Sequence, residues 1–338
     1  MTSNGGRAGT GGLSASGGTS GSGGVTGSGG TPGSGGGGAP KGFSSCRLHF
    51  GTVDSIAKNN SAMIQQLDFF TPGWMGQKDT FDMQYVCDYT KAGGTFANQV
   101  PVVVAYVAAI YAKRHNNLKD CNAAGSQQDL CRAGAGFITD NLANIVATYE
   151  SYAAGFAGCL GTTRPIIFLM EPDFYQYTVS DQQRPWTPQT AGTIMSMFVA
   201  AIKKHLPNAV FSMDISPWVA PNDGQDNGQQ WYANFDMTAF TFINTSGGST
   251  QANNAKIRGD KMTWAGVSQV TGKPILADTG YGVNGASAGP DAAWDTPANI
   301  NARIADGVIS ISQYNPSSNW GATISGIRSQ LSASRFCP

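Results

Sequence analysis

Several apolar stretches of this chain run directly into side chains able to move a proton or hold a polar ligand. Pro165 to Met170 leads into Glu171-Pro172-Asp173, Val210 to Met213 into Asp214, and Pro274 to Ala277 into Asp278. Phe240 to Asn244 ends on a carboxamide, and Val308 to Ser312 is followed by Tyr314-Asn315. A single carboxylate in such a place is most simply a helix N-cap or a loop hydrogen-bonder. As a set on successive strands, they point to acid–base chemistry. Paired carboxylates beside aromatic rings are the equipment for breaking a glycosidic bond, one protonating the leaving oxygen while another group handles water or the sugar. The seven tryptophans mostly fall in segments that follow strands; two to four of them are expected to stack on sugar faces, Trp74, Trp218, Trp231 and Trp320 being the candidates, and the rest, Trp186, Trp264 and Trp294 among them, to plug the barrel ends or cover helices. With no P-loop and only three histidines, no metal or cofactor is expected.

These residues need a frame that delivers strand ends to one place. Apolar runs at Leu67 to Phe70, Val100 to Val107 and the five stretches above make seven candidate strands, with Arg47 to Val53 a possible eighth. Between them lie segments of helical period, including Gly136 to Ala154, with Ile138, Leu142, Ile145, Val146 and Tyr149 on one face, and Thr187 to His205. Alternating strand and helix of this kind predict a distorted seven- or eight-stranded parallel (β/α) barrel, TIM-like, whose chemistry sits at the carboxyl ends of its strands. Asp54, Asp68 and Asp236 read as structural, and His49, His115 and His205 receive no role. The segments Ala112 to Arg132 and Val283 to Asn299 are long enough to reach over a cleft.

Composition bounds the rest. The first 40 residues hold 18 of the 45 glycines, set among Ser, Thr and Ala, so residues 1–41 are expected to be a flexible tether and 42–338 the barrel domain. Formal net charge is zero and 12% of residues are charged, with no basic run, which argues against nucleic acid or an anionic membrane as partner. Cys46, Cys87, Cys121, Cys131, Cys159 and Cys337 show no metal-ligand spacing, and six thiols in a chain so poor in charge suggest an exported, disulfide-bonded protein, secreted or tethered to a cell surface. Their pairing is open at this level.

The order of motifs resembles glycoside hydrolase family 6, the cellobiohydrolases and endoglucanases. Val102-Val103-Val104-Ala105-Tyr106, Asp120-Cys121 with Ser126 after it, and Ile166 through Asp173 are similar to three of that family's segments. Phe211-Ser212-Met213-Asp214 with Trp218, Phe240 to Ser246, and Ile275 to Gly280 are similar to three more, so the resemblance spans roughly Leu67 to Gly285. It implies that Asp173 is the general acid, that Asp120 crowds it and raises its pKa, and that Ser126 helps hold the attacking water. It further implies that Asp278 is the base or a charge stabiliser, that Tyr106 sits by a distorted sugar, and that Asp214 and Asn244 line the cleft. Hydrolysis of a β-1,4-glucan with inversion, by a monomer, is the expected activity.

The departures fall on ligand contacts: Lys119 stands where the family has Arg, Ser216-Pro217 replaces a His, and Gly280-Tyr281-Gly282 replaces Ser-Arg-Asn, as in a divergent member or sister family. Two other readings follow from the same residues. One is a retaining β-glycanase, with Glu171 as acid/base and Asp278 as nucleophile. The other is a carbohydrate-binding surface protein without turnover.

Overall fold

The computed structural model describes residues 42–43, 46–121, 128–216, 219, 227–245, 250–258, 261–280 and 290–336. The tether expected over 1–41 lies outside them. Eight parallel strands close into a barrel: β1 (His49–Val53), β2 (Phe69–Thr71), β3 (Val100–Ala105), β4 (Ile167–Met170), β5 (Val210–Ile215), β6 (Phe242–Thr245), β9 (Ile275–Asp278) and β10 (Val308–Gln313). Strand β10 returns to pair with β1, so Arg47 to Val53 does supply the eighth stave. A short antiparallel hairpin, β7 (Lys256–Arg258) and β8 (Lys261–Thr263), is inserted between β6 and β9.

Strands buried on both faces explain the near-continuous apolar runs. On β4, Phe168 packs outward against Phe156 of the helix Leu142–Leu160 and against Phe211 of β5, while Leu169 faces the lumen. Gly51 is required where β1 faces β2, because a Cβ there would lie 2.1 Å from the Phe69 ring. The helix predicted over Gly136 to Ala154 is really two, Leu130–Asp140 and Leu142–Leu160. Asn141 divides them, its side-chain amide donating to the Phe137 carbonyl at 2.9 Å, a local bond that competes with helix continuation. The second predicted helix forms as Pro188–Lys203, with Thr187 accepting from the Thr190 amide and proline at its first turn.

The amino-terminal mouth is a structural end. Asp68 gathers the guanidinium of Arg47 at 2.7 Å, that of Arg328 at 3.1 Å and the Phe50 amide at 2.9 Å, joining residues before β1 and β2 to the last helical turn. Phe43 closes this mouth by stacking on His49 at 3.9 Å. Two disulfides, Cys87–Cys159 and Cys121–Cys131, brace the outer layer, and Cys46 is also disulfide-bonded. Replacing Asp68 with Ala strands two cations and a backbone donor, and is expected to lower the unfolding free energy by about 2 kcal/mol. A urea titration checks this, and a change below roughly 0.5 kcal/mol would show that the cluster is dispensable.

Candidate active site

Register partners on neighbouring parallel strands point the same way, and this brings the sequence-predicted residues together. Asp214 on β5 is level with Asn244 on β6, Asn244 with Leu276 on β9, and Asp278 with Ser312 on β10. Asn244, Asp278, Ser312 and Tyr314 all line one lumenal cavity of about 20 Å³, room for about one water molecule. Among the described residues, the lumen at this level is therefore nearly filled. A larger concavity of about 910 Å³ opens at the opposite, amino-terminal mouth, among Arg47, Lys58, Gln65, Asp68 and Asn98. Its one carboxylate, Asp68, is already committed to arginines, so it lacks the groups for acid–base work.

Asp278 is held firmly. Its carboxylate accepts the Gly280 amide at 2.8 Å, its own amide donates to Thr245 Oγ at 2.8 Å, and Thr250 Oγ donates to its carbonyl. Asp214 is buried and accepts the Asp173 amide at 3.0 Å, so it lies under the turn that carries Asp173. Asp173 itself is partly exposed at the tip of that turn, as the N-cap of the short helix Phe174–Thr178 with φ of 61°. Glu171 also has a positive φ, 40°. Left-handed backbone at non-glycine residues costs on the order of 1 kcal/mol each and persists where the surroundings over-determine it.

Glu171 turns away from the lumen into the layer between sheet and helices and is fully buried. Its Oε1 accepts the Ala108 amide at 2.7 Å and the Tyr149 hydroxyl, and its Oε2 accepts the Tyr177 hydroxyl. Burial pushes this carboxyl up to about 7, opposed by those donors. Burial, with Glu171 adding to it, also pushes both tyrosine hydroxyls well up. Both oxygens of Glu171 are engaged by these donors and its side chain is directed away from the lumen, so the placement gives no support to the acid/base role of the retaining reading.

The other expected residues divide. Tyr106 follows β3, and Trp74, partly buried, meets its ring edge-on at 5.8 Å. Trp231 and Trp320 are corrected: both are buried, Trp231 against Tyr175 and Phe235, and Trp320 against Phe50 with its Nε1 donating to Asp295. Neither offers a face to a sugar. Asp120 is also corrected in its partner, because its carboxylate is 71% exposed and meets Lys113 at 2.6 Å; the carboxylate under the Asp173 turn is Asp214. Ser126 and Trp218 lie outside the described residues. Tyr149 and Tyr177 escaped the sequence reading. The first falls on a helix face that reads as core, and the second carries no spacing signal toward Glu171.

Fold and site together define a closed (β/α) barrel with aspartates and a carboxamide gathered at its carboxyl mouth. No protein-family model and no curated protein matches the chain. Among solved structures, GH26C from Muricauda sp. MAR_2010_75 is similar at 13% identity, over 86% of this chain and 88% of its own, with a TM-score of 0.53. A β-mannanase from a symbiotic protist of the termite Reticulitermes speratus matches at 13% identity over 87% and 90%, with a TM-score of 0.46. The endoglucanase Cel6 from Mycobacterium tuberculosis matches at 16% over 72% and 73%, with a TM-score of 0.38. The likeness is one of fold, a TIM-like barrel of the kind glycoside hydrolases use, and does not single out glycoside hydrolase family 6.

Glu171 makes stability depend on pH. The unfolded chain releases this proton near the ordinary 4.5, whereas the folded chain keeps it until about 7. Between those values the native state binds more protons, so stability falls as pH rises, by on the order of 1 kcal/mol per unit, and levels off above the folded value. The hydroxyls facing it, on Tyr149 and Tyr177, stay protonated throughout that window. Glu171→Gln is expected to remove this part of the slope, measured as the difference between denaturation midpoints of the two proteins from pH 4.5 to 8.

Proposed function

We propose that the chain is an exported glycoside hydrolase that cleaves a β-1,4-linked polysaccharide with inversion, β-glucan being the first substrate to test. The observation that carries this reading is the convergence of Asp173, Asp214, Asn244 and Asp278 from β4, β5, β6 and β9 on one mouth of the barrel. Asp173 is the general acid: it stands at the partly exposed tip of the turn after β4, a turn whose backbone amide is anchored on the Asp214 carboxylate. Asp278, anchored by the Gly280 amide, is the base or charge stabiliser, and Asn244 beside it contributes a polar contact to sugar or water. The partly buried Trp74, backed edge-on by the buried Tyr106 that follows β3, is the ring on which a pyranose can rest. Disulfides, and the lack among the described residues of a helix long and apolar enough to cross a membrane, agree with an extracellular setting.

Asp173→Asn is expected to slow hydrolysis by about 10²–10⁴-fold while leaving binding intact, because general acid catalysis contributes roughly that factor. Release of reducing ends from soluble cellulose and mannan derivatives, followed by proton NMR of fresh product, gives both rate and anomer. An inverted anomer supports the mechanism, and a retained one overturns it. Polysaccharide binding with no sugar released by the unaltered protein would leave the non-catalytic reading standing in its place. Trp74→Ala is expected to weaken oligosaccharide affinity roughly tenfold, about 1.4 kcal/mol, in a calorimetric titration, whereas Trp231→Phe leaves it unchanged.

A further inference from the structure

The helix Val107–Asn116 starts at the rim directly after Tyr106, and its N-cap side chain makes no capping bond. The helix Phe174–Thr178 starts directly after Asp173, and its N-cap side chain makes none either. Helix beginnings leave backbone donors that need an acceptor, and carboxylates satisfy them best. Here the acceptor comes from another segment. The carboxyl of Glu171 takes the Ala108 amide from the first helix and the Tyr177 hydroxyl from the second, while Tyr149 closes it off from the helix Leu142–Leu160. The main chain at Glu171 is tied as well, its amide donating to the Ala105 carbonyl at 2.9 Å and its carbonyl accepting from Phe174. One buried carboxyl thus touches both rim segments, and it lies within a turn whose positive φ values at positions 171 and 173 need outside support.

We propose that Glu171 is a positioning residue, a non-local cap that locks the turn after β4 to the helix start after β3 and so fixes Asp173 relative to Tyr106. This rests on Asp173 being the general acid. The carboxylate shape matters more than the charge. The ionised carboxylate offers acceptor lone pairs on both oxygens and no donor, whereas an amide presents one oxygen and one donor group. A glutamine that keeps its oxygen on the Ala108 amide turns N–H groups toward the Tyr177 hydroxyl, which then has to reverse from donor to acceptor. The turn then shifts, and with it the acid.

A displaced general acid has a recognisable signature. Cleavage that expels a sugar hydroxyl needs the proton, whereas cleavage that expels 2,4-dinitrophenolate does not, because that group leaves as an anion. For Glu171→Gln, kcat on an oligosaccharide is expected to fall roughly 10–100-fold with KM nearly constant, as for loss of an interaction made in the transition state. The rate on the matching dinitrophenyl glycoside is expected to stay within about threefold of the unaltered protein. Equal losses on both substrates, or no loss on either, would overturn the positioning role. Tyr177→Phe, which removes one donor and spares the carboxyl, is the milder variant if Glu171→Gln does not fold, and the same split in smaller degree is expected of it. Amide hydrogen exchange gives an independent readout: the Ala108 amide is expected to exchange faster in Glu171→Gln, and unchanged exchange would refute the cap. If the unaltered protein hydrolyses neither substrate, the assignment of Asp173 fails, and the exchange measurement still decides whether Glu171 caps the helix.

Discussion

Closing eight parallel strands on themselves imposes the constraint from which the other features follow. Every strand then presents alternate side chains to the lumen and delivers its carboxyl end to the same mouth. Register does the rest: with Asp214 level with Asn244, and Asp278 level with Ser312, polar groups far apart in the chain become neighbours without any need for the loops to arrange them. The opposite mouth receives the strand beginnings, and there the Asp68 cluster and the Phe43 stack serve stability.

The polar load inside this barrel is unusual enough to matter. Ser212, Asn244 and Ser312 each keep a buried oxygen without a protein partner, close to the carboxylates of Asp214 and Asp278. Burying polar atoms without partners costs about 1–3 kcal/mol each, a cost a fold has no reason to carry for stability alone. The apolar shell outside the strands, from Phe168 and Phe211 to Tyr149 and Phe198, offsets it. Glu171 belongs to that outer shell. There its carboxyl takes the Ala108 amide at the helix start after β3 and the Tyr177 hydroxyl of the helix after β4, at the expense of being raised by burial. Under the proposed assignment of Asp173 as general acid, such support matters because a misplacement of about 1 Å can cost roughly 10²-fold in rate.

The limits of the linear reading are physical. Apolar runs ending in Asp or Asn were legible because a strand buried on both faces must be apolar until it reaches the mouth, which is why the barrel and the Asp214, Asn244 and Asp278 positions could be read from the chain. Tryptophans after strands were not separable by sequence, because the same residue type serves as rim platform and as plug: Trp74 is partly buried beside Tyr106, whereas Trp231 and Trp320 are packed away. The direction of Glu171 was hidden for a different reason. A positive φ at that residue reverses the expected alternation, and no spacing rule anticipates such a residue outside glycine.

By itself, then, the order of residues determined the alternation of strand and helix and the polar groups at the strand ends, and left the number of staves at seven or eight, because those features depend on local periodicity and on which side chains tolerate burial. Only the tertiary structure decided which carboxylates meet. It set Asp214 rather than Asp120 beneath Asp173, gave Asp120 to Lys113, and turned Glu171 behind the sheet onto Ala108, Tyr149 and Tyr177. Those choices come from barrel closure and from the demand of buried donors for acceptors, both of which act between segments separated by tens of residues.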